Sequence, residues 1–171
     1  MNDLASRTAV YTGSFDPITL GHVNVIERSG RVFDRLIVGV GINTGKKLLF
    51  SPEERAELVR LATTHLDNVE VRAFSGLAVD FVRECGSLVM VRGVRPLTDI
   101  AAEFTMMMGN RELDPEIETV FLMSDEQYTH VSSSLIKEIT PLSSDEKVAR
   151  FVPREIIPAL RARLAELDAS P

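Results

Sequence analysis

The chain has 171 residues, of which 44% are hydrophobic and 26% are charged, and its formal net charge is −6. This composition predicts a globular protein, and we expect a single domain over residues 1–171 with a C-terminal helical segment from about residue 143. The negative charge argues against a nucleic-acid partner. The one cysteine, Cys85, excludes an intrachain disulfide and any CxxC metal site, and we expect it to be a buried helix residue.

The sequence shows no sign of a membrane or export signal. Residues 1–7 lack an apolar signal-peptide core, and the longest apolar run, around residues 36–42, is too short to cross a bilayer. We therefore expect a cytoplasmic protein without a membrane partner.

The most informative stretch is residues 12–22, Thr-Gly-Ser-Phe-Asp-Pro-Ile-Thr-Leu-Gly-His. It follows a predicted strand at residues 8–11 and precedes a predicted helix at residues 23–28. A helix N-terminus has unpaired N–H groups and the positive end of the dipole, so it favours phosphate. We expect Gly13 and Gly21 to let the backbone approach such a ligand, with His22 in the first helical turn. The alternative is a tight turn with a core histidine.

Strands and helices alternate along the rest of the chain. Further strands are predicted at residues 35–42, 69–74, 88–91 and 118–123. The segment Ser51-Pro52-Glu53-Glu54 predicts a helix start with a capping box, and Gly86 is expected to end a helix over residues 77–85. The pattern predicts an α/β fold with a doubly wound, five-stranded parallel sheet of Rossmann-like type.

Apolar side chains suggest which helix faces are buried. The expected stripe of the helix after Ser51 is Leu58, Leu61, Ala62 and Leu66. Residues 98–113 are predicted to form another helix, whose methionines 106–108 suggest either a cofactor pocket or, as we prefer, a side buried against the sheet or a partner subunit. Pro153 is expected to open an amphipathic helix carrying Ile156, Ile157, Leu160, Leu164 and Leu167.

Parallel sheets place ligands at the carboxyl ends of their strands, and four motifs fall on that edge. Ser14 offers a hydroxyl, and its neighbours offer backbone N–H donors. His22 offers a donor for a phosphoryl oxygen. Lys46 or Lys47 offers a mobile charge. The remaining groups are Arg92, Arg95 and the serines 132–134.

Each of these motifs alone has a plainer interpretation: a surface loop for the lysines, a solvated pair for the arginines and a plain N-cap for the serines. Together they offer cations and hydrogen-bond donors without an evident nucleophile or P-loop. This set favours phosphoryl or nucleotidyl transfer, in which positioning and charge neutralisation carry the catalysis.

The opening stretch resembles the nucleotidyltransferase superfamily with the (T/H)xGH motif. From residue 11 to about 164, the chain resembles the phosphopantetheine adenylyltransferase family. The further matching segments are residues 50–55, 91–95 and 131–138, with Asp99 and Glu103. The resemblance implies transfer of the adenylyl group of ATP to 4′-phosphopantetheine, with magnesium, giving dephospho-coenzyme A and pyrophosphate.

The resemblance also implies roles for individual residues. His22 would stabilise the transition state. The implied ATP-binding residues are Ser14, Phe15, His22, Gly93, Val94, Arg95, Glu103, Tyr128, Thr129, His130, Val131, Ser132, Ser133 and Ser134. The implied acceptor-binding residues are Ser14, Lys46, Ala78 and Arg92. No dedicated metal site is implied. Members of the family are usually hexamers built from two trimers, and coenzyme A commonly inhibits them.

Two alternatives stay open at this point. One is a related transferase acting on nicotinate or nicotinamide mononucleotide or on a polyol phosphate. Pyridine-nucleotide enzymes usually have Ser-Ser-Thr and a later arginine where this chain has serines 132–134 and Lys137. The other is a nucleotide-sensing or assembly module without activity. Residues 100–102, Ile-Ala-Ala, depart from the family's usual aromatic-acidic-aromatic segment, a change that bears on subunit contacts and on the pocket wall.

Overall fold

The computed structural model describes residues 7–42, 48–95 and 100–169. Within them, five strands form one parallel sheet in the order β3-β2-β1-β4-β5, as predicted. The strands are β1 (Thr8–Gly13), β2 (Arg35–Gly41), β3 (Val69–Phe74), β4 (Val89–Val94) and β5 (Glu118–Met123). The chain runs from β1 to β3 on one side and then continues with β4 and β5 on the other. The direction of winding therefore reverses beside β1, which is where doubly wound folds bind ligands.

Helices connect the strands and cover the sheet. They are α1 (Leu20–Val32), α2 (Pro52–Ala62), α3 (Ala78–Glu84), α4 (Ile100–Leu113), α5 (Ser133–Ile139), α6 (Asp145–Val148) and α7 (Ile157–Asp168). Single 3-10 turns lie at Glu126–Tyr128, Thr140–Leu142 and Arg154–Ile156. The proposed start of α4 at Thr98 and Asp99 lies outside the described residues.

The caps predicted from local sequence are confirmed. Ser51 Oγ accepts from the N–H of Glu54 at 3.2 Å, and Glu54 Oε2 accepts from the N–H of Ser51 at 2.8 Å. At the end of α3, Gly86 has a φ of +68°, the left-handed conformation that glycine adopts without a Cβ penalty. Cys85 beside it is buried, as expected, and burial raises the pKa of its thiol.

Both faces of the central strands β1 and β2 are buried, which explains why these strands lack polar alternation. Along β1, Ala9 and Tyr11 join the larger core whereas Val10 joins the smaller one on the opposite face. Along β2, Leu36 and Ile37 divide in the same way. Successive strand residues point to opposite faces, so the inner positions of these two strands meet a covering layer on either side.

The predicted stripe of α2 is only half right. Leu58 and Ala62 are buried, but Leu61 is 40% exposed, and Leu66 lies beyond the end of the helix. The buried face runs through Arg55, Leu58, Val59 and Ala62 instead, at helical spacing. An arginine occupies a core position that the hydrophobic pattern does not assign to it.

The expectation that α4 is buried against the sheet is wrong. None of its side chains is buried, and Phe104, Met106 and Met108 are 55%, 57% and 50% exposed. The alternative, cover by a partner subunit, stays a prediction.

The last helix is largely as expected. Ile156, Ile157 and Leu160 are buried, whereas Leu167 is 48% exposed. The helix begins at Ile157 rather than at Pro153 because a 3-10 turn comes first. None of the helices in the described part of the chain combines the length and apolar character needed to cross a bilayer.

Candidate active site

A cavity of about 600 Å³ opens at the carboxyl edge of the sheet. It lies where β1 and β4 end and where α1 and α5 begin. Most of the predicted site residues line it: Ser14, Phe15, His22, Arg92, Gly93, Val94, Arg95, Glu103, Val131, Ser132, Ser133 and Ser134. Segments far apart in the sequence therefore meet at one site, as the edge argument predicts.

Other predicted residues lie behind this wall or elsewhere. Ala78, Tyr128, Thr129 and His130 are not among the described residues that line the cavity. The Cβ of Tyr128 lies 3.6 Å from the position that a Cβ on Gly21 would take, so Tyr128 stands directly behind the wall. Lys46 lies outside the described residues. The binding roles of these residues stay predictions.

The Thr-x-Gly-His motif is a capping box in which histidine takes the place of the usual glutamate. Thr19 is the N-cap of α1, and its Oγ1 accepts from the N–H of His22 at 3.3 Å. The N–H of Thr19 donates to Nδ1 of His22 at 3.1 Å. Because Nδ1 accepts a hydrogen bond there, the proton of the neutral ring is on Nε2. The box therefore makes His22 an Nε2–H donor in the cavity wall.

His22 is held neutral near pH 7. Burial, together with the positive charges of Arg95 and Arg92, lowers its pKa to about 4. A neutral histidine is a poor source of a proton but a good hydrogen-bond donor. The site is thus suited to stabilising a phosphoryl oxygen without transferring a proton to it.

Phe15 is strained and packed at the centre of the opening turn. Its φ is +49°, an unfavourable conformation that costs a bulky residue about 1–3 kcal/mol. Its ring packs edge-on against Tyr11 and His22, with centroids 5.4 and 5.1 Å away. A Cβ on Gly13 would lie 2.8 Å from the same ring. Gly13 is therefore needed for this packing, which differs from the predicted close approach of a ligand.

Gly21 behaves differently from Gly13. A Cβ there would meet its neighbours only at 3.6 Å or more, which is ordinary contact. Gly21 lies in the cavity wall at the start of α1. The protein itself does not require glycine at this position, since a Cβ would face Thr19 and Tyr128 at ordinary contact distance, and the predicted approach of a ligand stays a prediction.

Arg92 and Glu103 bind each other across the cavity wall. Nε and Nη2 of Arg92 donate to the two carboxylate oxygens at 2.7 and 2.8 Å, and Nη1 donates to the carbonyl of Thr12 at 2.9 Å. Burial opposes the charge on Arg92, but the hydrogen bonds and charge of Glu103 outweigh it, and the pKa of Arg92 rises. An acceptor phosphate at Arg92 would therefore share a guanidinium already paired with a carboxylate.

Two of the three serines at the start of α5 form hydrogen bonds within the fold. Ser132 Oγ caps the helix by accepting from the N–H of Leu135 at 3.2 Å, which confirms the plain N-cap for this hydroxyl. Ser133 Oγ donates to the carbonyl of Pro17 at 2.8 Å, which ties α5 to the opening turn. Ser134 is exposed in the cavity wall. Arg95 donates to the carbonyl of Val131 at 3.0 Å and so joins β4 to this segment.

Sequence reasoning missed the role of the buried carboxylate of Asp16. The carboxylate of Asp16 accepts from the N–H groups of Leu49 and Phe50 at 2.8 and 3.0 Å, and from the ammonium of Lys137. It thereby links the opening turn, the approach to α2 and helix α5. The position of Asp16 within the opening motif was the only sequence signal for this role.

The described residues hold no group of three or more histidine, cysteine, aspartate or glutamate side chains arranged to bind a metal ion. The carboxylates of the cavity wall, Asp16 and Glu103, are both paired with cations.

Solved structures support the fold. A nicotinic acid mononucleotide adenylyltransferase from Plasmodium falciparum superposes with a TM-score of 0.68, covering 96% of this chain and 97% of that one, at 12% identity. A putative nicotinate-nucleotide adenylyltransferase from Vibrio parahaemolyticus gives 0.64, covering 91% of this chain and 99% of that one, at 17% identity. At such identities the likeness concerns the fold alone.

Sequence comparison defines the family. The cytidylyltransferase-like family model matches residues 10–139. The phosphopantetheine adenylyltransferase of Rhodopirellula baltica is 65% identical over 163 residues, covering 95% of this chain and 91% of that protein. The phosphopantetheine adenylyltransferase of Heliobacterium modesticaldum is 46% identical over 158 residues, covering 92% and 90%. The neutral histidine donor and the cavity of about 600 Å³ at the carboxyl edge of the sheet agree with this relationship, and the chain belongs to the phosphopantetheine adenylyltransferase family.

Proposed function

We propose that this protein transfers the adenylyl group of ATP to 4′-phosphopantetheine, giving dephospho-coenzyme A and pyrophosphate. Membership of the phosphopantetheine adenylyltransferase family supports the choice of acceptor. The observation in the structure that carries the proposal is the Thr19–His22 capping box, which presents an Nε2–H donor at a helix N-terminus in the cavity.

The reaction is an in-line exchange at phosphorus. An oxygen of the acceptor phosphate forms a bond to the α-phosphorus of ATP, and the bond from that phosphorus to the bridging oxygen breaks. Pyrophosphate leaves with the electron pair. The attacking oxygen is already anionic, so no general base is needed. Negative charge grows on the oxygens around the α-phosphorus, and the Nε2–H of His22 and the N-terminus of α1 stabilise it.

The two substrates divide the cavity between them in this proposal. ATP contacts the opening turn at Ser14 and Phe15, the end of β4 at residues 93–95, Glu103 and the segment 128–134. The acceptor phosphate takes Arg92 and Lys46, with Ala78 beside its pantetheine arm. The Arg92–Glu103 pair bears directly on this division, since the two partners are assigned to different substrates.

We propose that Mg²⁺ enters as a complex with ATP, bound by the phosphate oxygens. The absence of a carboxylate cluster in the described part of the chain is compatible with such a complex. The ion would neutralise phosphate charge, and the chain's own donors hold the phosphates in position.

We further propose a homohexamer of two trimers that is inhibited by coenzyme A and works in the cytoplasm. The exposed apolar side chains on α4 and β5 support assembly with further copies of the chain. They are Ile100, Phe104, Met106, Met108, Leu113, Phe121 and Met123. Since Glu103 on the same helix lines the cavity, a neighbouring subunit on α4 would contact the rim of the site.

An acceptor screen tests the proposed reaction. Purified protein is given MgATP with 4′-phosphopantetheine, nicotinate mononucleotide, nicotinamide mononucleotide or glycerol phosphate, and pyrophosphate release is measured. We expect release with 4′-phosphopantetheine only, and none without an acceptor. Release with nicotinate mononucleotide but not with phosphopantetheine would contradict the assignment.

A further inference from the structure

Arg55 is a fully buried arginine that holds three backbone segments together behind the cavity. Its side chain is 0% exposed. Nη1 donates to the carbonyl of Ser14 at 2.6 Å and to that of Gly41 at 3.0 Å, and Nε donates to that of Phe50 at 3.3 Å. These carbonyls lie after β1, at the end of β2 and before α2, so one guanidinium ties together the loops around the site.

The bond to Ser14 determines which way the next N–H points. The carbonyl and the N–H of a trans peptide point in opposite directions. Because Arg55 draws the carbonyl of Ser14 away from the cavity, the N–H of Phe15 on the same peptide is turned toward it. This N–H has no hydrogen-bond partner among the described residues, and both Ser14 and Phe15 line the cavity.

We propose that Arg55 is a positioning residue that aims the backbone N–H of Phe15 at the phosphates of ATP. This proposal rests on the proposed adenylyl transfer. Arg55 is not among the described residues that line the cavity, so it acts through the peptide between Ser14 and Phe15. The strained φ of Phe15, +49°, needs such a restraint because the turn would otherwise relax to a commoner conformation.

The charge of Arg55 adds to this effect. Its hydrogen-bond acceptors are backbone carbonyls, and no carboxylate among the described residues forms an ion pair with it. Asp16, the nearby carboxylate in the opening turn, is paired with Lys137. A buried guanidinium keeps its proton, so Arg55 contributes positive potential behind the phosphate site.

The test compares Arg55→Met and Arg55→Lys with a matched control. Arg161→Met is the control because Arg161 also donates to two backbone carbonyls, those of Thr140 and Ser143, but lies away from the cavity. Calorimetry gives the number of ATP-binding chains and the affinity for ATP. Pyrophosphate release with 4′-phosphopantetheine then gives kcat per ATP-binding chain, and thermal unfolding gives Tm.

We expect Arg55→Met to lower kcat per ATP-binding chain about 100-fold, since a misplacement of about 1 Å costs this much. Arg55→Lys keeps the charge but loses the Nε donor to the carbonyl of Phe50 and the fixed guanidinium geometry, so we expect a loss of roughly 10-fold. ATP affinity falls in both variants. Arg161→Met lowers Tm but leaves kcat per ATP-binding chain unchanged.

The proposal would be overturned if Arg55→Lys had a normal ATP affinity and a normal kcat per ATP-binding chain. If Arg55→Met does not fold, Arg55→Lys alone provides the test. The calorimetric measurement of ATP binding needs no acceptor substrate. If the wild-type protein binds ATP but is inactive with 4′-phosphopantetheine, the proposed function fails, while the ATP affinities of the variants still test the role of Arg55.

Discussion

Thr19 and His22 exchange hydrogen bonds across the first turn of α1: Thr19 N–H donates to Nδ1 of His22 at 3.1 Å, and His22 N–H donates to Oγ1 of Thr19 at 3.3 Å. The same pair of contacts starts the helix and selects the ring tautomer. The same two residues therefore cap the helix and orient the histidine proposed to act in catalysis. Mutations can separate the effect on helix stability from the effect on catalysis.

The first prediction separates helix capping from catalysis by comparing two N-cap residues. Thr19→Ala and Ser51→Ala each remove a capping hydroxyl, so each should lower the free energy of unfolding by about 1 kcal/mol. Only Thr19→Ala loosens His22, so only this variant should also lower kcat, by roughly 10-fold. Urea unfolding and pyrophosphate release measure the two effects. Equal kcat in both variants would show that the cap has no bearing on catalysis.

The second prediction concerns His22 itself. Removing one donor to a transition-state oxyanion typically costs about 10²–10³ in kcat, and we expect this loss in His22→Ala. ATP affinity should change much less, because the donor acts mainly where charge grows in the transition state. If His22 only packed the turn, stability and activity would fall together. An adenylylated His22 in the wild-type protein would also contradict the proposed role.

The third prediction is the pH dependence that His22 gives to stability. Its pKa is lowered to about 4 in the folded state, chiefly by burial, whereas an unfolded histidine titrates near 6.5. Between these values the unfolded chain binds more protons, so the contribution of His22 to stability is lost as the pH falls. His22→Gln should therefore show a smaller loss of stability than the wild type between about pH 7 and about pH 5. Urea unfolding at both values measures this, and an identical loss in the two proteins would contradict the lowered pKa.

Local signals were enough to predict much of the fold. The cap at Ser51 and the turn at Gly86 depend on residues a few positions apart, and the parallel sheet follows from the alternation of apolar segments. The gathering of Ser14, His22 and Arg95 at one edge follows from that topology alone.

The rest depends on contacts that periodicity does not show. Arg55 looks like an ordinary charged residue near the start of a helix, and only the fold reveals the three carbonyls around it. The Asp16–Lys137 pair joins residues 121 positions apart, and Arg92–Glu103 depends on how α4 crosses β4. The exposure of α4 was mispredicted because an apolar helix face does not specify what covers it.

The fourth prediction uses the two glycines of the opening motif. In Gly13→Ala the new Cβ meets the Phe15 ring at 2.8 Å, so we expect a loss of about 1–3 kcal/mol of stability. In Gly21→Ala the new Cβ meets Thr19 Oγ1 and the Cβ of Tyr128 only at 3.6 Å, so the protein should fold normally. Thermal unfolding compares the stability of the two variants. A Gly21→Ala variant destabilised as much as Gly13→Ala would contradict this difference.

The fifth prediction tests the assembly through α4. Phe104→Glu places a charge in the exposed apolar face, where Phe104 is 55% exposed, and a buried unpaired carboxylate would oppose contact with another copy. We expect sedimentation to show smaller species than the hexamer proposed for the wild type. Leu142→Glu is the matched control, because Leu142 is 88% exposed but lies on the 3-10 turn Thr140–Leu142, away from α4 and β5. It should leave the assembly unchanged. A wild-type protein that sediments only as an 18.9 kDa monomer, or a Phe104→Glu variant that still forms hexamers, would show that this face is not the subunit contact.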